Sequence, residues 1–128
     1  MSEALDTSVV LRLLTGEPPE QADVARRFVG QRAEPIRIDA LVIGESYFAL
    51  RHHYHVPHRE AVGALHAFVC SDRVRVSSEV LDALKTARAE REPGLMDRLI
   101  VAAARDAACV LRTFDRRLAR LEGALLLR

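Results

Sequence analysis

The stretch that decides the fold lies in the last third of the chain, where residues 95–107 read LMDRLIVAAARDA and residues 109–115 read CVLRTFD. The first segment is largely apolar and contains no proline or glycine, so it predicts a helix from Leu95 to about Ala107. The second predicts a short strand over Cys109–Thr113 that ends just before Asp115. A helix that leads into a strand with an acid at its end is typical of α/β proteins, which bind ligands at the carboxyl ends of their strands.

Proline and glycine divide the rest of the chain into further short helices and strands. The segment Asp6-Thr7-Ser8 can cap a helix that Gly16 closes, and Pro18-Pro19 opens the next one. Further helices are predicted from residue 40 to about residue 53, after Pro57 with its apolar residues between 62 and 69, after Ser77-Ser78 and before Pro93-Gly94, and near residues 116–121. Short strands are predicted to end at residue 5 and to span residues 36–38, 74–76 and 125–127. We therefore expect a single domain over residues 1–128, a three-layer α/β/α sandwich with a mainly parallel central sheet.

The composition sets bounds on the class of protein. Of the 128 residues, 49% are hydrophobic and 29% are charged, which is typical of an ordered globular protein. Nineteen basic residues oppose eighteen acidic ones, and the net charge of +1 excludes binding of nucleic acid by bulk charge alone. Cys70 and Cys109 lack the spacing of a metal site, and no apolar run reaches the roughly 20 residues that span a membrane. A reduced, cytoplasmic location is expected.

Two acidic residues lie among the apolar residues of predicted helices. The neighbours of Glu45 at helical spacing are all apolar: Leu41, Val42, Phe48 and Ala49. Asp97 likewise has Ile100 and Val101 three and four residues further on. An ionised carboxylate without a partner is costly in a buried apolar stripe, so we expect a positive group beside each acid, either a bound cation or an arginine of the chain.

Two more acids follow predicted strands. Asp6 comes directly after Leu5, and Asp115 comes after the strand that ends at Thr113, so both are expected at the carboxyl-end edge of the sheet. Each can alternatively cap a helix. Four carboxylates that converge on one pocket repel one another, and a hard divalent cation relieves this repulsion. The four acids together therefore favour an Mg²⁺ or Mn²⁺ site, which is a standard device for hydrolysing phosphodiesters with activated water.

Four blocks of the sequence resemble the signature blocks of the PIN domain family, in particular the VapC-type toxins of type II toxin-antitoxin (VapBC) pairs. The blocks are residues 4–11 (ALDTSVVL), Glu45 in its apolar helix, residues 96–104 (MDRLIVAAA) and residues 111–116 (LRTFDR). They follow the order and spacing of the family over essentially the whole chain. The resemblance implies a PIN-like fold and a metal-dependent endoribonuclease that acts as the toxin of such a pair.

The resemblance makes four acids both the catalytic and the metal-binding residues: Asp6, Glu45, Asp97 and Asp115. They are implied to hold one or two Mg²⁺ or Mn²⁺ ions. Ser8 and Thr113 match polar positions that support the metal site or the scissile phosphate. Many members carry a further acid where this chain has Gly94, which bears on the second metal ion. An RNA substrate, a homodimer and a small cognate antitoxin (VapB-like) in the active-site groove are also implied.

Basic residues are numerous outside this quartet. Without the four acids, fourteen acidic residues face nineteen basic ones, so the exterior carries about five positive charges. Arg112 and Arg116 flank Asp115 and either contact RNA phosphates or are merely solvated. Residues 51–58 (RHHYHVPH) concentrate four histidines at a predicted helix end, which favours a solvated terminus over a metal site. Aromatic residues make up only 5% of the chain, so an extensive base-stacking platform is not expected.

Two other functions fit parts of the pattern. A phosphoacceptor receiver domain of signalling proteins has a similar length and acids at its strand ends, but it needs an adjacent acidic pair after the first strand and a lysine after a late one. Here Thr7 follows Asp6, and Lys85 lies in a predicted helix. A phosphatase with an Asp-x-Asp motif is excluded by Ser8. A catalytically silent PIN scaffold that binds protein is the other alternative, and the complete quartet disfavours it.

Overall fold

The computed structural model describes residues 2–128, so Met1 lies outside the described residues. Compact packing divides the chain into two units, one extending to Val76 and the other comprising Ser77–Arg128. Each unit combines helices with one pair of short parallel strands. The predicted α/β class with parallel strands is therefore confirmed.

The first unit contains four helices and two strands: α1 (Thr7–Thr15), α2 (Pro19–Gln31), β1 (Ile36–Arg37), α3 (Ala40–His52), α4 (His58–Val69) and β2 (Val74–Arg75). Local signals explain several boundaries. Asp6 caps the start of α1, and Gly16 ends it in the left-handed region with φ of 73°, which glycine adopts without strain. A proline at its first position begins α2.

Parallel pairing joins distant parts of the first unit. Ile36 of β1 pairs with Val74 of β2, and a single bridge links Ala4 to Arg37. Helix α1 packs against α2 and α3, and α3 packs against α4. The core consists of fully buried aliphatic residues from these elements, including Val10, Ile36, Ile43, Val62 and Leu65. The bridge at Ala4 places Asp6 directly beyond the strand pair, at the start of α1.

The second unit contains α5 (Ser78–Ala89), α6 (Leu95–Asp106), β3 (Leu111–Thr113), a 3₁₀ turn (Leu118–Arg120) and β4 (Ala124–Leu126). Helices α5 and α6 pack together, and β3 pairs in parallel with β4. One core cluster forms where these elements meet: Val101, Leu118 and Ala124 are buried, with Leu111 and Leu121 packed against them. This cluster fixes the strand end that carries Asp115.

Several strands and turns are shorter than predicted. The expected strand at Leu5 is only the bridge at Ala4, and β3 begins at Leu111 instead of Cys109. Cys109 cannot join β3 because its N–H donates to the carbonyl of Ala104 (2.8 Å), which ties it to the end of α6. The expected helix over residues 116–121 is the 3₁₀ turn alone. Among residues 2–128, no helix combines the length and the apolar character needed to cross a membrane.

Candidate functional site

Asp6 is an exposed carboxylate held at the N-terminus of α1. Its Oδ1 atom accepts hydrogen bonds from the Ser8 hydroxyl (2.6 Å) and the Val9 N–H (3.2 Å). Both hydrogen bonds stabilise the ionised form and so lower the pKa of Asp6 below its ordinary value, and the bond from Ser8 has the larger effect. Asp6 therefore does cap a helix, as the alternative interpretation had it. Both of these contacts fall on Oδ1.

Glu45 faces solvent, so the prediction that it shares a buried stripe is wrong. The buried face of α3 is formed by other residues: Ile43, Gly44, Ser46, Ala49 and Leu50. Two of the apolar neighbours of Glu45 are themselves exposed, Leu41 by 69% and Phe48 by 54%. Apolar residues lie all around α3, so periodicity alone could not distinguish its core face. Glu45 consequently needs no compensating charge for burial.

A hydrogen bond connects Glu45 with the segment that carries Asp6. The Thr7 hydroxyl donates to Oε1 of Glu45 at 2.8 Å. Thr7 is the chain neighbour of Asp6 and the first residue of α1. The first unit therefore brings two of the four predicted acids onto adjoining elements, α1 and α3.

In the second unit, Arg98 and not Asp97 occupies the buried face of α6. Asp97 is partly exposed in the first turn, and Ile100, three residues on, is 50% exposed. Arg98 is 6% exposed; its Nε donates to the Pro93 carbonyl (2.8 Å) and its Nη2 donates to Glu90 (3.1 Å). The prediction that Asp97 is buried beside a positive group is therefore wrong. The buried charged residue of this helix is Arg98. Its contacts hold the segment immediately before the helix that presents Asp97.

Asp115 lies in a turn that hydrogen bonds fix on both sides. Its N–H donates to the Thr113 hydroxyl (2.9 Å), and its Oδ1 accepts from the N–H groups of Arg117 (2.8 Å) and Leu118 (3.3 Å). These contacts lead the chain from β3 into the 3₁₀ turn. As with Asp6, both acceptor contacts fall on one carboxylate oxygen, so the other remains available. Ser8 and Thr113 thus each make a hydrogen bond that positions a predicted acid or its backbone.

The basic residues near Asp115 and the histidine segment are largely exposed. Arg112 and Arg116 are exposed, and Arg117 lies 3.5 Å from Glu92.

His52 and His53 end α3, where the Phe48 ring lies 4.4 Å from that of His52. The hydroxyl of Tyr47 lies 2.6 Å from Nδ1 of His58. His52, His53 and His58 therefore lie against aromatic side chains of α3.

The chemistry of the predicted donor set fits a hard divalent cation. All four predicted ligands are carboxylates that are exposed or partly exposed, and Mg²⁺ and Mn²⁺ prefer oxygen ligands. Between residues 2 and 128, however, no group of three or more His, Cys, Asp or Glu side chains is placed to hold a metal ion. The convergence of the four acids on a single pocket therefore stays a prediction.

Sequence reasoning missed two residues that make contacts next to predicted acids. Thr7 was treated only as part of a capping segment, although a hydroxyl beside a predicted ligand is a signal for such a role. Arg98 lies on the same helix face as Leu95 and Ala102, three and four residues away, so helical periodicity does identify it as the charge on the core face.

Comparison with known proteins identifies the family. Residues 4–124 match the family model of the PIN domain. No match was found among the curated proteins or among the solved structures. PIN domains are typically metal-dependent nucleases, they generally use divalent metals, and they bind RNA. Because the match covers nearly the whole sequence, the chain belongs to the PIN domain family.

Proposed function

We propose that this chain is a divalent-metal-dependent endoribonuclease, the VapC-like toxin of a type II toxin-antitoxin pair. The observation that carries the proposal is the family match over residues 4–124 together with an acid at each of the four quartet positions. Family membership also favours this function over the receiver domain, whose acidic pair and late lysine the chain lacks.

The proposed catalytic and metal-binding residues are Asp6, Glu45, Asp97 and Asp115. An Mg²⁺ or Mn²⁺ ion bound by them would activate water and neutralise the charge that develops on the scissile phosphate. Three neighbouring hydroxyls support this assignment. Ser8 donates to Asp6, Thr7 donates to Glu45, and Thr113 accepts from the backbone of Asp115. Each contact limits the motion of an acid or of its backbone.

Substrate binding is assigned to exposed arginines. Arg112 and Arg116 flank Asp115, and their guanidinium groups bind the phosphates on either side of the cleaved bond. Arginine suits this task because its planar donors match two phosphate oxygens at once.

The wider assembly is proposed from the resemblance. Residues 1–128 act as one PIN domain, the active protein is a cytoplasmic homodimer, and a small VapB-like antitoxin covers the acidic groove. The resemblance also implies an antitoxin arginine directed at the four acids, whose negative charge would attract it.

Cleavage assays with the purified protein test the proposal. A labelled structured RNA should be cut in Mg²⁺ or Mn²⁺ and left intact in EDTA, and equal cutting in EDTA would overturn the mechanism. Asp97→Asn should abolish cutting with the fold preserved, as judged by circular dichroism. Asp72→Asn is the matched control, because it makes the same change at a side chain that is 96% exposed, and it should cut normally.

Expression in cells separates a toxin from a housekeeping nuclease. The wild-type chain should arrest growth, and co-expression of the small neighbouring open reading frame should relieve the arrest. Asp97→Asn should be harmless. If the wild-type protein cuts RNA but its expression does not affect growth, the nuclease function stands and the toxin role is rejected.

A further inference from the structure

Phe114 projects into solvent between β3 and Asp115. It is 78% exposed, more than any other large hydrophobic residue of the described chain. An exposed apolar side chain alone says little, because folded surfaces contain many. The setting of this ring, and not its exposure, points to a role.

The backbone on both sides of Phe114 is fixed by hydrogen bonds. The Thr113 carbonyl accepts from the N–H of Leu127 (2.7 Å), and the Asp115 carbonyl accepts from the N–H of Ala119 (3.0 Å). Side-chain contacts of Thr113 and Asp115 close the same turn. The ring is therefore presented from a rigid backbone, which lowers the conformational entropy lost when it binds a partner.

The sequence on both sides of the ring is basic. Within residues 111–121 Asp115 is the only acid, and four arginines, all exposed, occur in the same stretch: Arg112, Arg116, Arg117 and Arg120. A planar apolar ring whose neighbours in the sequence include exposed arginines suits a ligand that combines flat apolar faces with closely spaced negative charges. Arg117 lies 3.5 Å from Glu92, so the other three arginines carry this argument. Single-stranded RNA has this chemistry, since its bases stack on aromatic side chains while its phosphates contact arginine.

We propose that Phe114 is a base-stacking residue that holds one unpaired RNA base beside the phosphate served by Asp115. The inference rests on the proposed nuclease function and adds a determinant of substrate choice, a preference for cutting next to an unpaired base. A single stacking ring also agrees with the low aromatic content, which disfavours only an extended platform. Arg112 and Arg116 bind the phosphates that flank this base, so contacts to the base and to the backbone come from neighbouring residues.

Binding by matched variants tests the role of the ring. Phe114→Trp keeps an aromatic face, Phe114→Leu keeps an apolar side chain without one, and Phe114 lies outside the core, so both should fold. The affinity for a labelled single-stranded RNA is measured by fluorescence anisotropy in EDTA. The affinity of Phe114→Trp should lie within about twofold of wild type, and that of Phe114→Leu should be lower by roughly 5- to 100-fold. We would also compare RNAs that each have one abasic position. One of them should bind wild type more weakly than the intact RNA does, yet bind Phe114→Leu as tightly as the intact RNA does.

Salt dependence separates the base contact from the phosphate contacts. Phe114→Leu should leave the slope of log affinity against log salt unchanged, whereas Arg112→Gln should reduce it by about one. If Phe114→Leu binds RNA as tightly as wild type, the stacking role is overturned. The nuclease function stands in that case if the wild type still cuts RNA. A wild type that neither binds nor cuts RNA overturns both. If Leu changes the sedimentation coefficient but not RNA affinity, the ring serves a protein contact and the proposal is wrong.

Discussion

The Thr7 hydroxyl donates a 2.8 Å hydrogen bond to Glu45, two residues that lie 38 positions apart in the sequence. The bond joins the first turn of α1 to the middle of α3. Because Thr7 adjoins Asp6, it also relates the positions of two proposed metal ligands. The contact lies near solvent, where a hydrogen bond contributes little to folding and can still fix the direction of a carboxylate.

Removal of this hydroxyl should affect activity more than stability. Thr7→Val has nearly the same shape as threonine but cannot donate, so Glu45 loses its fixed orientation. We expect a fall of about 1 kcal/mol or less in the free energy of unfolding and a loss of up to about tenfold in cleavage rate. Urea denaturation and single-turnover cleavage in Mn²⁺ measure the two effects.

Thr7→Ser is the matched control because it retains the hydroxyl. Its cleavage rate should stay within about twofold of wild type. If Ser and Val lower the rate equally, the hydrogen bond to Glu45 has no part in catalysis.

The pKa of Asp6 provides a test that needs no substrate. It should lie below the ordinary value of 3.8, chiefly because the Ser8 hydroxyl donates to the carboxylate. Since the folded pKa is below the unfolded one, ionised Asp6 stabilises the fold fully above about pH 4, and this contribution disappears as the pH falls through the lowered folded pKa. NMR titration of the Asp6 carboxyl carbon in metal-free buffer should show the depressed value.

Ser8→Ala should raise the pKa of Asp6 toward 3.8, and Ser8→Thr should leave it low because the hydroxyl is retained. The Ala variant should consequently lose less stability than wild type on acidification. An unchanged titration in Ser8→Ala would show that backbone N–H groups, and not the Ser8 hydroxyl, hold the pKa low.

Arg98 should contribute more to stability than other arginines of the second unit. Arg98→Met keeps the apolar stem but removes the donors to Pro93 and Glu90, and we expect a loss of about 1–3 kcal/mol in unfolding free energy. Arg98→Lys should recover only part of the lost unfolding free energy, because one ammonium group does not reproduce two divergent guanidinium contacts.

Arg88→Met, at an exposed position of α5, is the control for loss of charge alone and should cost less than about 0.5 kcal/mol. Chemical denaturation curves measure both variants. Equal stability of the variants at positions 88 and 98 would contradict the importance of the buried contacts.

Gly94 allows the second metal ion to be tested. It is the N-cap of α6 and has no side chain with which to cap, and an added Cβ would meet only the Arg91 carbonyl at 4.0 Å. Gly94→Asp should stabilise the helix by a few tenths of a kcal/mol and increase the affinity for Mn²⁺, or the number of ions bound.

Gly94→Ser separates these two effects, because serine caps the helix without adding charge. It should show the same gain in stability as Asp but no change in Mn²⁺ binding, as measured by calorimetry. If both variants bind Mn²⁺ as wild type does, the position is remote from the metal site.

Local sequence signals predicted the helix boundaries well. Gly16 ends α1 because glycine adopts the left-handed conformation without strain, and Pro19 begins α2 because its fixed φ suits the first turn of a helix. The core-facing side of a helix was harder to predict, because it depends on neighbouring elements. Leu41 is 69% exposed and Ala49 is 8% exposed on the same helix, although leucine is the more apolar. This is why Glu45 was wrongly expected in a buried stripe.

The candidate site shows the same division. Asp6 and Asp115 could be identified as capping acids from adjacent residues, because their hydrogen-bond partners lie within three positions. The role of Thr7 could not, since its partner is distant in the sequence and only the packing of α1 on α3 brings them together. The contacts of Arg98 likewise depend on how the chain turns before α6.

The capping role of Asp6 has an evolutionary consequence. Asparagine and serine cap helices about as well as aspartate, but neither provides the same negative charge to a cation. A mutation at this position can therefore abolish cleavage while the protein stays folded. If the chain is the proposed toxin, we expect copies that escape toxicity to carry Asp6→Asn more often than Asp6→Ala. Under the same proposal, such a folded, inactive copy would still bind the proposed antitoxin and would draw it away from active molecules.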